Sequence, residues 1–509
     1  MVTIDIQNLV SPEAASAFTR TAAQWTDAFQ AAGKDDVFTL ATDMHLDPNL
    51  KEFERNSLIK LAAKRMGVTY RDLVKDLRQG SSEPKKDHLY FARQTLDFFQ
   101  AGNVLYSQGA FWVWRDAGVW ERVLDHEIRR AAMGMLQGQE AVTDGTVRSV
   151  VALARDEAYS AAAHFDQPAP RRINVQNGTL HYQAGAWALR EHDRGDYLTT
   201  QLPVTFDPQA TCPRFDRFLA EIFEGDEDAT DKAQVILEMI GYTLTQSCQF
   251  EKFIILVGSG SNGKSVLLDV LRSLVGPGQV ASVEPGKLGD RVERERLHGK
   301  LANICPELPV GAMLADAALK SFTSGDLVSG AAKFGQPFDY KPYATFWTGT
   351  NHMPHTRDLS HGMFRRALIV QFNRTFNEST REIGLADKLR DELPGILVKA
   401  LDAFASVIER GGFTVPASSD AALKAWRTDA DQVAQFLEDR CLCDASDTQA
   451  FISHALLFRE FQNWAHDQNL KHSVTGKAFS LRLVALGYQA KTKRDGGSRD
   501  RGFQGIGLA

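Results

Sequence analysis

The chain has 509 residues, 43% apolar and 24% charged, with a formal net charge of −6. That length exceeds what one hydrophobic core serves and suggests about three domains, and the charge excludes a uniformly basic nucleic-acid coat while leaving room for local basic patches. No apolar run approaches the roughly 18–20 residues that cross a bilayer, the start lacks a signal-peptide pattern, and the scattered cysteines Cys212, Cys248, Cys305, Cys441 and Cys443 complete no zinc-site spacing, so a cytoplasmic, reducing location without a membrane partner is expected.

Residues 1–80 read as a mostly helical segment, Ala-rich over 12–32 and amphipathic over 50–77. Lys60, Lys64, Arg65, Arg71, Lys75 and Arg78 make its second part basic, a pattern that usually marks a solvated helix face. The polar run 79–87, with Gly80 and Pro84, reads as a linker.

An α+β module is expected over 88–225: a helix at 89–100, short strands at 111–114 and 118–120, and helices at 123–137 and 143–163. A hairpin over 172–182 is signalled by Asn177-Gly178, with further strands at 187–189, 197–200 and 202–206 and a helix at 215–223.

Residues 226–415 carry the strongest signal. After a helix at 229–244, the apolar run 253–257 reads as a buried strand. It breaks into Gly258-Ser-Gly-Ser-Asn-Gly-Lys-Ser265 and resumes with Val266, Leu267, Val270, Leu271 and Leu274 at helical spacing. Strand, G-x-x-x-x-G-K-S loop and helix form the context of a phosphate loop, in which Gly258, Gly260, Asn262 and Gly263 let backbone N–H groups face phosphate oxygens. Lys264 would reach the β and γ phosphates and Ser265 would offer its hydroxyl to Mg²⁺. Strands at 279–283, 301–305, 344–348 and 367–372 then alternate with helices, giving an α/β nucleoside-triphosphatase core, with a helical lid at 383–409.

Hydrolysis needs a carboxylate at a strand tip beside the loop. Glu307 fits that role and would share the metal, while Asn351, at the tip of the next strand, would meet the γ phosphate or the attacking water. Arg365 and Arg366, ahead of the last strand, suit a cation donated to a neighbouring subunit's nucleotide.

Residues 420–509 read as a separate small domain: helices at 430–442, 458–469 and 475–486, then a basic hairpin. Lys477 and Arg482 are expected to face outward from the third helix, with Lys491, Lys493, Arg494, Arg499 and Arg501 on the hairpin. This is a winged-helix pattern, in which the third helix enters a groove and the wing grips phosphate.

Residues 247–376 resemble the superfamily 3, AAA+-like DNA helicases, in the phage, plasmid and poxvirus-type primase-helicase branch. The matching pieces run in order: Gly258-x-Gly-x-Asn-Gly-Lys-Ser265, Leu297-His-Gly-Lys-Leu-Ala-Asn-Ile-Cys-Pro-Glu307, Lys320-x-x-x-Ser324-Gly-Asp326, Lys333-Phe-x-x-Pro-Phe338, Thr350-Asn-His-Met-Pro354 and Gly362-Met-Phe-Arg-Arg366. Asn177-Gly-Thr-Leu, Pro203-Val-Thr-Phe-Asp-Pro and Gly241-Tyr-Thr-Leu244 extend it upstream. The resemblance implies a P-loop AAA+-like helicase core with a mixed α+β N-terminal module and a C-terminal winged helix. It also implies a homo-hexameric ring that spends ATP, with Mg²⁺, to travel along single-stranded DNA and open forked DNA in phage, prophage or plasmid replication. Glu307 then takes the Walker B role, Asn351 that of sensor 1, and Arg365 or Arg366 that of the arginine finger, while Lys333 and Phe334, or Lys341, meet DNA in the ring pore. Many relatives carry two adjacent acids where Pro306 precedes Glu307 here, and Asp326 is a candidate for the second. Residues 1–80 lack a primase's acidic cluster, so a primase or polymerase would be a separate partner. The rival readings are a DNA-anchoring ATPase switch, a defence-associated motor and a small-molecule phosphotransferase.

Overall fold

The computed structural model describes residues 20–34, 36–80, 86–100, 102–138, 142–333, 335–377, 382–444, 447, 449–468, 474–495 and 498–509. They fall into two compact units, one within Met1–Thr95 and Ala132–Ala154, the other within Leu96–Ala131 and Arg155–Ala509.

In the first unit, helices Ala22–Ala31, Val37–Leu46, Glu52–Met66 and Tyr70–Gly80 enclose Trp25, Phe29, Met44, Ile59, Leu73 and Leu77. Thr21 and Gln24 close a capping box on the first helix, satisfying backbone donors that a helix start leaves open. Part of the basic segment is structural. Arg65 donates to the carbonyls of Gln30 and Ala32 at 3.0 and 2.8 Å, and Lys60 stands 5.9 Å from the Tyr70 ring. The side chain of Arg78 lies outside the described residues.

The second unit opens with an antiparallel meander of β1 (Val104–Ser107), β2 (Ala110–Arg115) and β3 (Val119–Val123). β1 was not anticipated, and it explains why the helix expected over 143–163 ends at Glu157: the next residues bridge to it, Tyr106 N–H to Ala158 O at 2.7 Å and Ser160 N–H to Tyr106 O at 3.0 Å. The next sheet joins β4 (Arg172–Val175), β5 (Gly178–Gln183) and β6 (Ala186–Arg190). Gly178 is required there because a Cβ would sit 2.2 Å from the Arg190 carbonyl oxygen. The expected strands at 197–200 and 202–206 are irregular connections instead. Leu202 N–H reaches Asn174 O at 2.9 Å and Val204 O accepts from Gln176 N–H at 3.0 Å, but Pro203 between them has no N–H to continue a ladder.

The main sheet is parallel and five-stranded, in the order β13 (Ala367–Gln371), β7 (Phe253–Val257), β12 (Thr345–Thr350), β9 (Ala302–Cys305), β8 (Val280–Ala281). β7 alternates between two cores, which is why it reads as apolar on both faces. Ile254 and Leu256 join the core shared by helices Ala229–Thr243, Lys264–Val275 and Leu393–Arg410, while Phe253 and Ile255 join Phe322, Phe346, Phe364 and Trp426. The expected lid over 383–409 is therefore a wall of the first core: Ile396, Leu397, Leu401 and Phe404 are buried, and a Cβ on Gly241 would meet Ala400 O at 2.2 Å. Between β9 and β12 the chain forms helix Asp316–Ser324 and a hairpin of β10 (Val328–Ala331) and β11 (Pro337–Tyr340).

Helix Ala417–Ala430 buries Trp426 in the second core, edge-on to Phe364 at 5.2 Å. Beyond it, helices Gln432–Arg440, His454–Asp467 and Gly476–Ala485 surround Phe436, Phe461, Trp464 and Phe479. The small strands β14 (Cys441–Cys443) and β18 (Ile506–Leu508) pair, and β15 (Phe451–Ser453), β17 (Ser498–Gln504) and β16 (Ala490–Asp495) form the last sheet. No helix among the described residues is long and apolar enough to cross a membrane.

Candidate functional site

The loop 258–265 leaves the C-terminal end of β7 and enters helix Lys264–Val275 through Gly263, whose φ of 88° favours glycine. The loop is gripped from outside: Gly258 N–H donates to Thr350 O at 3.1 Å, and Ser261 O accepts from Phe376 N–H at 2.7 Å. A Cβ on Gly263 would collide with Ile222 at 2.6 Å, so helix Pro213–Ile222 braces the loop from below. Lys264 folds back, its Nζ 2.5 Å from Gly258 O and 3.1 Å from Asn262 Oδ1. Burial lowers its pKa, and the charge of Glu307 opposes that shift. Buried Asn262 keeps an Nδ2 without a hydrogen-bond partner among the described residues. A lysine satisfied only by neutral oxygens, beside an unspent amide and backbone at a helix N-terminus, can turn to anionic oxygens at little cost.

Two neighbouring strands end beside this loop. β12 pairs directly with β7 and is followed by exposed Asn351, and β9 pairs with β12 and is followed by Pro306 and exposed Glu307. The strand ends are locked together, with Leu308 N–H on Gly349 O at 3.2 Å. Exposed Ser265 occupies the first turn of the helix. The Ser265 hydroxyl and the Glu307 carboxylate are oxygen donors of the kind hydrated Mg²⁺ takes beside phosphate and water. Among the described residues no group of three or more His, Cys, Asp or Glu could hold a metal by itself. Asp326 follows Gly325, where an added Cβ would stand 3.2 Å from Cys248, near the start of β7 and not at the loop that leaves its other end.

Arg365 and Arg366 precede β13, whose Ala367 pairs with Phe253 at the start of β7. They lie at the opposite end of the sheet from the glycine loop, about 17 Å away for five residues at about 3.3 Å each. They are unlike each other. Arg366 is buried, donating to Gly362 O at 2.5 Å and Ser324 Oγ at 2.7 Å, whereas the Arg365 side chain is 44% exposed. Both pair with Glu251. Sequence reasoning missed Glu251, and its only local signal would have been a lone acid before a buried strand.

Lys333 is exposed in the turn of the β10–β11 hairpin, and Lys341 is exposed just after it, while Phe334 lies outside the described residues. Lys477, Lys491, Lys493, Arg499 and Arg501 are exposed on the third C-terminal helix and its hairpin, with Lys493 5.5 Å from the Phe451 ring. The side chain of Arg494 is outside the described residues. Arg482 corrects the expectation. It turns inward to the buried Asp431, Nε to Oδ2 at 2.9 Å, because that carboxylate caps helix Gln432–Arg440 and needs a counter-charge.

Residues 90–224 match the family described as D5 N terminal like, and residues 256–366 match a family of unknown function, DUF5906. A protein of Acanthamoeba polyphaga mimivirus named as a helicase, L207/L206, is 24% identical over 268 residues, 48% of this chain and 27% of that protein. The chain thus spans about a quarter of that relative's length. Among solved structures, the A form of the apo NrS-1 C terminal region aligns over 82% of this chain and 99% of that one at 12% identity, TM-score 0.46. Another apo structure of that region, 305–718, aligns over 83% and 100% at 11% identity, TM-score 0.44. By its sequence matches the chain is similar to a protein named as a helicase. More particularly, it is similar to the phage and viral primase-helicases, as its motifs implied.

Proposed function

We propose that this chain is an ATP-driven motor of a homo-hexameric ring, which translocates on single-stranded DNA and opens forked duplex during replication of a phage, prophage or plasmid. The observation that supports it best is the division of the sheet. The glycine loop, Asn351 and Glu307 converge at one end, while Arg365 stands exposed at the other. An arginine about 17 Å from its own loop serves a nucleotide only in another copy.

In this reading Lys264 leaves the carbonyl of Gly258 for the β and γ phosphates, and loop N–H groups hold the rest of the chain of phosphates. Ser265 and Glu307 would hold Mg²⁺, which would supply charge neutralisation when bound. Glu307 orients the attacking water and Asn351 bonds it or the γ phosphate. Arg365 from the adjacent subunit neutralises charge developing in the transition state, an effect worth about 10³–10⁵ in rate. Lys333 in each hairpin tracks DNA phosphates, and the C-terminal three-helix domain, read as a winged helix, adds a salt-sensitive grip. A separate primase or polymerase would be its partner.

ATPase measured with and without single-stranded DNA, beside mass from light scattering, tests this. Stimulation by DNA together with a six-fold assembly is expected. A monomer whose turnover ignores DNA would replace the motor with a small-molecule phosphotransferase.

A further inference from the structure

At the end of the sheet remote from the glycine loop, two arginines pair with one carboxylate. Glu251 stands two residues before β7 with a φ of 52°, a left-handed conformation that non-glycine residues adopt only where the surroundings impose it. Its Oε2 forms ion pairs with Arg365 and, at 2.9 Å, with Arg366, but has no well-aligned hydrogen bond among the described residues. Lys252 Nζ donates to the Arg365 carbonyl at 2.5 Å, and Phe253 N–H to the Arg366 carbonyl at 2.9 Å. Burial, and then the charge of Arg365, lower the Lys252 pKa.

The two arginines hold Glu251 on different terms. Arg366 is fixed by Gly362 and Ser324, with the charges of Asp326 and Asp358 also favouring it. It can keep the carboxylate without moving. Arg365 is nearly half exposed, and its ion-pair partner among the described residues is Glu251. A guanidinium exchanges readily between a carboxylate and a phosphate because both accept its N–H pairs. A partly exposed ion pair is also weak enough to open.

The geometry points to Glu251 as a positioning residue that parks Arg365 in the isolated subunit and yields it to the γ phosphate of a neighbour's nucleotide, while Arg366 remains as the permanent partner of the carboxylate. This rests on the trans-acting reading of Arg365 above. It divides the two arginines into one that moves and one that stays. It also makes assembly compete with an internal contact.

The test is ATPase per subunit against protein concentration for wild type, Glu251→Gln, Arg365→Ala and the double variant, with thermal unfolding to establish folding. Glu251→Gln is expected to lower the protein concentration at half-maximal turnover by roughly two- to fivefold, the size of a partly exposed ion pair. In the Arg365→Ala background, where turnover is too low to follow, assembly against concentration read by light scattering should show no such effect of Glu251→Gln. Should Glu251→Gln fail to fold because Arg366 loses its counter-charge, Glu251→Asp keeps that charge, retracts it from Arg365 and should shift the curve in the same direction. An unchanged curve in a folded variant, a lower rate at every concentration, or a shift that survives in Arg365→Ala would each overturn the assignment. If wild-type turnover per subunit does not depend on concentration, and Arg365→Ala is not rescued by Glu307→Gln subunits, the trans-acting reading itself fails.

Discussion

Gly349→Ala tests whether Glu307 is positioned by the sheet. Gly349 lies in β12, beside the point where β9 gives way to Pro306 and Glu307, and an added Cβ would stand 2.3 Å from Pro306 O and 3.0 Å from its carbonyl carbon. Real Cβ atoms do not approach within 3.0 Å, so the end of β9 must retreat by at least about 0.7 Å, and the obstacle is backbone rather than a side chain that could swing away. Leu308 N–H is bonded to Gly349 O at 3.2 Å, so the turn bearing Glu307 moves with it. Overpacking of this kind costs about 1–3 kcal/mol of stability. A carboxylate displaced by close to 1 Å loses on the order of 10²-fold in rate. The loop 258–265 is untouched by the new methyl group, so nucleotide affinity should stay within a few fold. The assay pairs steady-state ATPase with equilibrium binding of a fluorescent ATP analogue, and denaturant titration establishes folding. Turnover within twofold of wild type, in a folded protein, would refute the reasoning and remove Glu307 from the reaction.

Other expectations follow from the same geometry. Lys264→Ala should abolish ATPase and unwinding while leaving the fold intact; turnover retained by a folded variant would sink the phosphate-loop assignment. Arg482→Ala should destabilise the C-terminal domain by about 1.5–3 kcal/mol, because Asp431 is left buried without its charged partner, whereas Lys491→Ala and Arg501→Ala should leave stability unchanged and flatten the salt dependence of DNA binding, read by fluorescence anisotropy across a salt series. Burial holds the imidazoles of His298 and His181 below their ordinary pKa, against the charges of Asp166 and Asp196. The unfolded chain therefore takes up those protons first as pH falls through about 6.5, and stability should decline from there downward. His298→Gln should reduce that slope in melting curves, and an unchanged slope would exonerate this residue.

Regular elements were legible where local pattern and burial agreed. β7 and the helix after Gly263 stand where their apolar spacing put them, because each is buried along the whole length that carries the pattern. Failures came where a distant partner decided the outcome. The helix ending at Glu157 stops for β1, a strand about fifty residues earlier whose four residues give too short a period to read. The supposed lid has an amphipathic pattern that says one face is covered, but not that helix Ala229–Thr243 covers it. Arg482 looked like a groove-reading cation because sequence spacing gives a face of a helix and not the acid across from it. The strand, glycine loop and helix were legible in order, since a contiguous backbone shape leaves a contiguous pattern. Glu251 was not, since it acts across 114 residues of chain on Arg365.

The same sheet that separates the two halves of the site also joins them mechanically. β7 carries the glycine loop at its C-terminal end, and Glu251 and Lys252 just before its start; β13 pairs with it in register from Phe253 to Val257 and begins immediately after Arg366. Both faces of this pair are buried, Ile254, Leu256, Leu368 and Val370 in one core and Phe253, Ile255, Ala367 and Ile369 in the other. Close-packed interiors transmit displacement rather than absorb it. Tightening of the loop on phosphates therefore has a short route to the Glu251–Arg365 contact, through two strands with no irregular residue between them. In the ring proposed above, that contact would face the next subunit. The order of events along one strand pair would then set the order of hydrolysis around the ring: closing one loop changes how readily Arg365 leaves for the neighbouring site.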